Sequence, residues 1–375
     1  MSSPTPTTGP PDTKFTRLPR RLQSLETQVV YVGVPGSGGP DGKRAWWNLH
    51  GTNAGNQGVK LAPEVSGLMH VPFEHLMSEG PYQIGAVHER TDWKKRNILL
   101  KVMVGVGTID TIFRYRMIEQ RWWASWSPDH DGYLGIFTRT HGWRWLRVRL
   151  AQDPQNEFVL DPAAYDNNFM EWDMRLVAAD PYWRKRIEIN TWKNDGEGDG
   201  GIPHTPWDQL EELIEDILEG VFPGISNLIP GMHIGEGNIV LPTRGTEAEW
   251  PKFLISSPGR AWIEDGPGGR MVELPLLSPN DGVVLVDTDP TKRTLTASKD
   301  PVDPLFYRIA RNIDLLDFLL DDITNQGLPV WRRFNGRFTT PWPAKTVNRI
   351  KVRHSNAGGT IIGMMPQRFS SAFGV

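Results

Sequence analysis

Over residues 133–152, and again from 169, apolar and polar side chains alternate, the repeat of a β-strand with two unlike faces. In YLGIFTRTHGWRWLRVRLAQ (133–152) this places Trp143 and Trp145, and after Leu146 also Val148 and Leu150, on one side. Arg144, Arg147 and Arg149 then fall mainly opposite, and His141-Gly142 reads as a hairpin turn. FMEWDMRLVAADPYW (169–183) continues with Met170, Trp172, Met174 and Leu176 facing one way. Asp180-Pro181 ends that strand, because Asp supplies a side-chain acceptor and Pro a fixed φ, and Trp183 is expected to pack on the core. RKRIEINTW (184–192) gives one more strand; upstream, LETQVVYVGVPG (25–36) reads as a strand entering a turn and NILLKVMVGVG (97–107) as a central strand. The period changes at 110–126, where Ile112, Tyr115, Ile118 and Trp122 follow the 3–4 spacing of an amphipathic helix.

Beyond residue 192 the pattern breaks into Gly, Asp and Pro, followed by WDQLEELIEDILEGVF (207–222), a short acidic helix by its periodicity. From there eight stretches read as strands: HIGEGNIVLP, PKFLISSPG, RAWIEDG, RMVELPLL, GVVLVDTD, RTLTAS, NRIKVRHS and GTIIGMMP. RNIDLLDFLLDDI (311–323) interrupts them as a helix with four Asp mostly opposite its apolar face. The resulting division is an arm at 1–24, a β-sandwich domain at 25–192, a linker with the acidic helix at 193–228, and a second β-domain at 229–375 carrying the inserted helix 311–323. The fold class is all-β with a few short helices.

Composition sharpens this picture. The 38 Gly and 31 Pro penalise helix interiors and favour turns. The absence of cysteine excludes disulfides, thiolate metal sites and cysteine nucleophiles. A formal net charge of −3 does not describe a polyanion binder. No apolar run reaches the roughly 20 residues that span a bilayer. The first 21 residues are rich in Pro, Ser and Thr and lack an apolar stretch, so a flexible or docking arm is expected and a secretory signal is not.

Candidate chemistry is sparse. Gly42-Lys43 is preceded by Ser37 and followed by Arg44 where a phosphate-binding loop needs Gly and Ser or Thr. Asp129-His130-Asp131-Gly132 resembles part of a calcium loop, but Ser127 and Thr138 stand at the first and last ligand positions. His70 and His75 have no third partner at ligand spacing, and neither a GxSxG nor an HExxH motif occurs. Catalytic residues, cofactor and metal are therefore all expected to be none. From Arg90 to Leu150 twelve Lys or Arg face five Asp or Glu among six Trp, which suits a nucleic-acid surface or the outer face of strands whose Arg stems cover Trp. The acidic helix and the Asp-rich helix are candidate complements to that tract, within one chain or between subunits.

Several words in this order resemble the distal tail proteins of long-tailed, siphovirus-type bacteriophages, also called minor tail proteins in phages of actinobacteria. They are Gly58-Val59-Lys60-Leu61, Gly67-Leu68 before Pro72, the Gly85 region leading into Asn97-Ile98-Leu99-Leu100-Lys101-Val102, and Ala179-Asp180-Pro181-Tyr182-Trp183 closing the first domain. The second domain adds Asn348-Arg349-Ile350-Lys351-Val352 and Thr360-Ile361-Ile362-Gly363-Met364-Met365-Pro366. The resemblance implies a virion protein of the tail tip, assembled in the host cytoplasm. Its first domain would build a ring homo-oligomer, a hexamer, and its second would be a galectin-like β-sandwich. The implied partners are the tail tube protein, tail-tip hub or baseplate proteins and the tape-measure protein, with no specific nucleic acid recognition and no membrane. Trp122, Trp123, Trp143, Trp145, Asp180, Pro181 and Trp183 are the structural or interface candidates.

A different class of reading is a carbohydrate-binding module or adhesin for cell-wall glycan. It rests on sixteen Trp, with Trp262 and Trp331 as candidate glycan-stacking residues. A polysaccharide-degrading enzyme comes third, because paired carboxylates cannot be singled out by sequence.

Overall fold

The computed structural model describes residues 26–38, 43–105, 112–154, 169–194, 234–292, 295–297 and 329–374. The arm, the acidic helix at 207–222 and the helix at 311–323 lie outside the described residues. By its contacts the chain forms two compact units, residues 1–181 with 371–374 and residues 182–370.

In the first unit β1 (Gln28–Val32) pairs antiparallel with both β2 (Trp46–His50) and β7 (Gly132–Thr138), and β7 pairs with β8 (Gly142–Leu150). The far end of β8 leaves that sheet and pairs with β9 (Met170–Ala178) through Arg149↔Val177 and Leu150↔Leu176. β9 then pairs along its whole length with β6 (Arg96–Val104), which also pairs with β3 (Val59–Leu61). β4 (Phe73–Ser78) and β5 (Val87–Trp93) pair only with each other among the described strands.

The helix expected at 110–126 is α1 (Ile112–Ala124). It buries Tyr115, Ile118 and Trp122 against an aromatic cluster from β1 and β2. Trp122 meets Trp47 edge-on at 5.3 Å and Tyr31 at 5.8 Å, while Trp126 stacks on Tyr31 at 3.8 Å. Two polar atoms inside this cluster meet Ser125: Tyr31 donates to its carbonyl at 2.8 Å and Trp47 Nε1 to its Oγ at 2.9 Å, while the buried Nε1 groups of Trp122 and Trp126 have no hydrogen-bond partner among the described residues. Burial pushes the Tyr31 phenol well above its ordinary pKa.

Two of the family-like words have a backbone reason. Gly58 holds φ +85°, and a Cβ there would strike the Ile118 side chain. Gly67 holds φ +83°, and its Cβ would lie 2.1 Å from the Asn97 carbonyl oxygen. A side chain is excluded at both positions by conformation and by space.

The second unit holds two antiparallel sheets. One runs β16 (Leu295–Ala297), β15 (Val283–Asp287), β12 (Lys252–Ser256), β18 (Thr360–Phe369), β10 (Trp183–Lys193). The other runs β11 (Gly235–Thr243), β17 (Thr346–His354), β13 (Ala261–Glu264), β14 (Met271–Glu273). Ile239, Leu241, Ile263, Ile350 and Val352 share a buried cluster with Phe253, Ile255, Val284, Val286 and Ile361. Each of the eight stretches expected as strands contains one. β10, placed in the first domain by sequence, pairs with β18 from Trp183↔Phe369 to Lys193↔Thr360 and belongs by contact to the second unit.

One strand-face assignment is corrected. The β7–β8 register runs without a bulge, so Arg144 shares a face with Leu146 and Val148, while Trp143 and Trp145 share theirs with Arg147 and Arg149. Arg144 is buried, with 2% of its surface exposed. It is held by the carbonyls of Ser371 at 2.7 Å and Gly374 at 2.6 Å. Burial lowers its pKa from the ordinary value.

Candidate assembly surface

The β4–β5 hairpin carries the most exposed apolar surface among the described residues. Phe73, Leu76, Met77, Val87 and Trp93 are 44–55% exposed, and Tyr82 and Ile84 at its tip are fully so. Its register places Phe73, His75 and Met77 opposite Trp93, Thr91 and His88, so one face is aromatic and the other carries Glu74, Arg90 and Asp92. On the aromatic face Phe73 packs edge-on to Trp93 at 6.1 Å. Thr91 Oγ1 bridges His75 Nδ1 at 3.0 Å and His88 Nε2 at 2.9 Å. At the base Lys94 N–H donates to the Pro72 carbonyl at 2.9 Å, beside the buried Val71. A lone two-stranded hairpin is at best marginally stable in water, and apolar groups this exposed are ordinarily covered by something.

The tryptophans selected by sequence divide into two kinds. Trp122, Trp145 and Trp183 are at most 3% exposed and serve the core. Trp123 and Trp143 are half-buried: Trp123 meets Trp172 edge-on at 4.9 Å, and Trp143 stacks on Trp145 at 5.1 Å. Trp46, 43% exposed, closes over Trp143 and Trp145, so this side of the sheet presents a second aromatic patch. Asp180 and Pro181 form a half-buried turn, and the Pro181 carbonyl accepts from Arg96 Nε at 2.9 Å. Arg96 is itself fully buried, also donates to the Gly67 and Met69 carbonyls, and has its pKa pushed down to about 10 by burial.

The basic tract is largely answered from within. Arg147 and Arg149 share Asp131 at 3.1 and 2.7 Å, Arg116 pairs with Glu119, Lys94 with Glu74, and Lys101 with Glu64. The bond to Asp131 raises the Arg149 pKa. Asp131 is therefore an ion-pair partner for two strand arginines, and Ser127 Oγ accepts the Asp129 and His130 amides in the turn before it. Among the described residues no group of three His, Asp or Glu side chains is placed to hold a metal ion, and no helix is long and apolar enough to cross a membrane.

Trp331 leans on the second unit's core. Trp262 lies half-buried on the outer face of β13, in register with Glu273 and Arg353. The two glycan candidates are not brought together into a platform by any contact among the described residues.

Sequence reasoning missed the hairpin, β2 and β3. The signal for the hairpin was present as Phe73-x-His75-x-Met77, a turn at Gly80-Pro81, and a return through Val87. The alternation is interrupted by Leu76 on the charged face and by a register shift between Leu76 and Met77.

No family model matches the chain, and no curated protein matches it by sequence. Solved structures with a related arrangement include the Dit protein (gp 19.1) of phage SPP1, described as a paradigm of the hub adsorption apparatus in phages infecting Gram-positive bacteria. It is 10% identical, with a TM-score of 0.47 over 92% of this chain and 99% of that one. Chains of the phage P2 baseplate in its activated conformation, with Ca or with Sr, align at 11% and 10% identity with a TM-score of 0.46, over 90% of this chain and 97% of theirs.

Proposed function

We propose that this chain is a structural component of a phage tail tip, and that copies of it close into a ring, a hexamer, joining the tail tube to the hub or baseplate. The observation that carries the reading is the β4–β5 hairpin, an apolar finger that nothing in the described chain covers. A finger of this shape needs a different surface to receive it, and contacts between unlike surfaces generate closed rings when the rotation closes. The ordered family-like words add to this, since Gly58 and Gly67 sit in the loops that lead to β3 and toward the hairpin. The tail tube, hub and tape-measure proteins are the proposed neighbours, and the chain is proposed to have no catalytic role.

The test is mass photometry of the purified chain together with electron microscopy of tails labelled against it. Six copies of a 42.4 kDa chain give a particle of about 254 kDa. A chain that stays monomeric and is absent from the tail tip overturns the proposal.

A further inference from the structure

The second unit carries a groove of about 620 Å³ between β14 with the residues after it and the Phe334–Arg337 turn. That volume lies within the roughly 300–1,000 Å³ of ordinary ligand clefts. Val272, Leu274, Leu276 and Phe334 supply its apolar lining. Arg260, Arg270, Arg333 and Arg337 supply four guanidinium groups against the one carboxylate of Glu273, leaving the lining at +3.

The charge is partly committed. Arg260 pairs with Glu273 at 2.5 Å, and Arg333 with Asp281 at 2.7 Å from outside the lining. Arg270 donates through Nη2 to the Arg337 carbonyl at 2.6 Å and lies 3.9 Å from Asp265, whose carboxylate is already engaged by the Thr339 and Thr340 amides. Arg337 makes no side-chain hydrogen bond or ion pair among the described residues.

The backbone beside these arginines is an open strand edge. Leu274 N–H donates to the Ala261 carbonyl and Asp265 N–H to the Arg270 carbonyl. In an antiparallel ladder hydrogen-bonded pairs alternate with non-bonded ones. Ile263↔Val272 is therefore the bonded pair between them, and Met271 and Glu273 turn their N–H and C=O groups away from β13. Among the described residues no strand pairs on that side of β14.

We propose that an extended acidic peptide from a partner protein adds to the β14 edge in this groove. Its backbone would bond to Met271 and Glu273, and its carboxylates would be received by Arg337, Arg270 and Arg333. Main-chain bonds at a sheet edge give affinity in such additions, and side-chain sites give selectivity. Arginine forks receive carboxylates with two parallel hydrogen bonds. A neutral glycan would ask for exposed aromatic faces and few charges, whereas here guanidinium groups outnumber the single lining aromatic, Phe334. The inference rests on the groove alone and is independent of the ring.

The test uses the full chain and fluorescence anisotropy at low salt. The probe is a labelled, end-blocked octapeptide of alternating Glu and Val. Its controls are the Lys/Val counterpart, a version N-methylated at alternate residues, an oligogalacturonate and a polyphosphate. The Glu/Val peptide should bind, Arg337→Glu should weaken it by about tenfold or more, and N-methylation in the bonding register should abolish it. An Ile84→Glu chain should bind it as the parent does, whatever its oligomeric state. No binding, or equal binding to the Arg337→Glu chain, overturns the proposal and leaves the arginines as guards of an exposed edge. Tighter binding of the oligogalacturonate or polyphosphate overturns it in favour of an anionic polymer, and equal binding of the N-methylated peptide overturns the strand addition.

Discussion

Arg144 and Ser371 meet across 227 positions of sequence, the guanidinium donating to the backbone carbonyl at 2.7 Å inside the first unit. The same group reaches the Gly374 carbonyl, and the Ala372 N–H donates to the Leu68 carbonyl at 3.3 Å, so Arg144 is one of two anchors of the short segment 371–374. Arg144→Ala removes both bonds and leaves buried acceptors behind, a loss on the order of 3 kcal/mol. Truncation after Ser370 should cost at least as much, since it also removes the Ala372 bond to the Leu68 carbonyl, and combining the two should cost less than their sum, because they share the Arg144 contacts. Urea denaturation of the three chains checks this; full additivity would show that Arg144 acts elsewhere.

The hairpin tip separates assembly from folding. Ile84→Glu alters a fully exposed side chain, so the stability of the isolated chain should change by no more than about 0.5 kcal/mol. If the aromatic face docks on a neighbouring copy, Ile84→Glu combined with Met77→Lys should shift mass photometry toward the monomer. Unchanged particle mass would place the ring contact on another surface.

The tryptophans should behave in two ways. Trp122→Ala empties the centre of the aromatic cluster and should cost about 3–5 kcal/mol, seen as loss of near-UV circular dichroism and a lowered urea midpoint. Trp123→Ala, which loses a half-buried contact with Trp172, should cost clearly less in the same assay.

His354 gives the second unit an acid-sensitive element. It is fully buried, its Nδ1 accepts from the Asn356 amide at 3.1 Å, and its Nε2 therefore carries the proton toward the Ser256 carbonyl at 3.2 Å. Burial holds its pKa below the ordinary 6.5. Above pH 6.5 the imidazole is neutral both folded and unfolded and contributes no pH dependence. As pH falls through 6.5 the unfolded chain takes up the proton first, so stability drops by up to about 1.4 kcal/mol per pH unit. The drop levels off once pH passes below the folded value. Urea midpoints between pH 7 and 5 should therefore fall more steeply for the parent than for His354→Gln, and parallel profiles would remove His354 as the cause.

The strands of the second unit were legible because their own residues carry the signal. In β11 and β17 apolar side chains at every second position face the core and their neighbours face out. α1 was legible for the same reason, through Tyr115, Ile118 and Trp122. β8 was legible as a strand but not in its faces, since Arg144 lies on the buried face while Trp143 and Trp145 share the partly exposed one with Arg147 and Arg149. The place of β10 depends on pairing with β18 more than 160 positions away, which no local window contains. The tryptophans singled out by sequence are divided between the core and a half-buried patch, and the exposed hairpin was not singled out. The β14 groove escaped as well, because Arg270 and Arg337 are joined only by the fold.

The bond from Arg144 to the 371–374 segment also sets a schedule for synthesis. At roughly 5–20 residues per second, the 189 residues between Pro181 and Ser371 take about 10–40 s to leave the ribosome. Throughout that interval the strands of the first unit are already available, yet the two carbonyls that receive Arg144 have not been made. The first unit to emerge is thus among the last to be completed, and its final closure is timed by translation of the second.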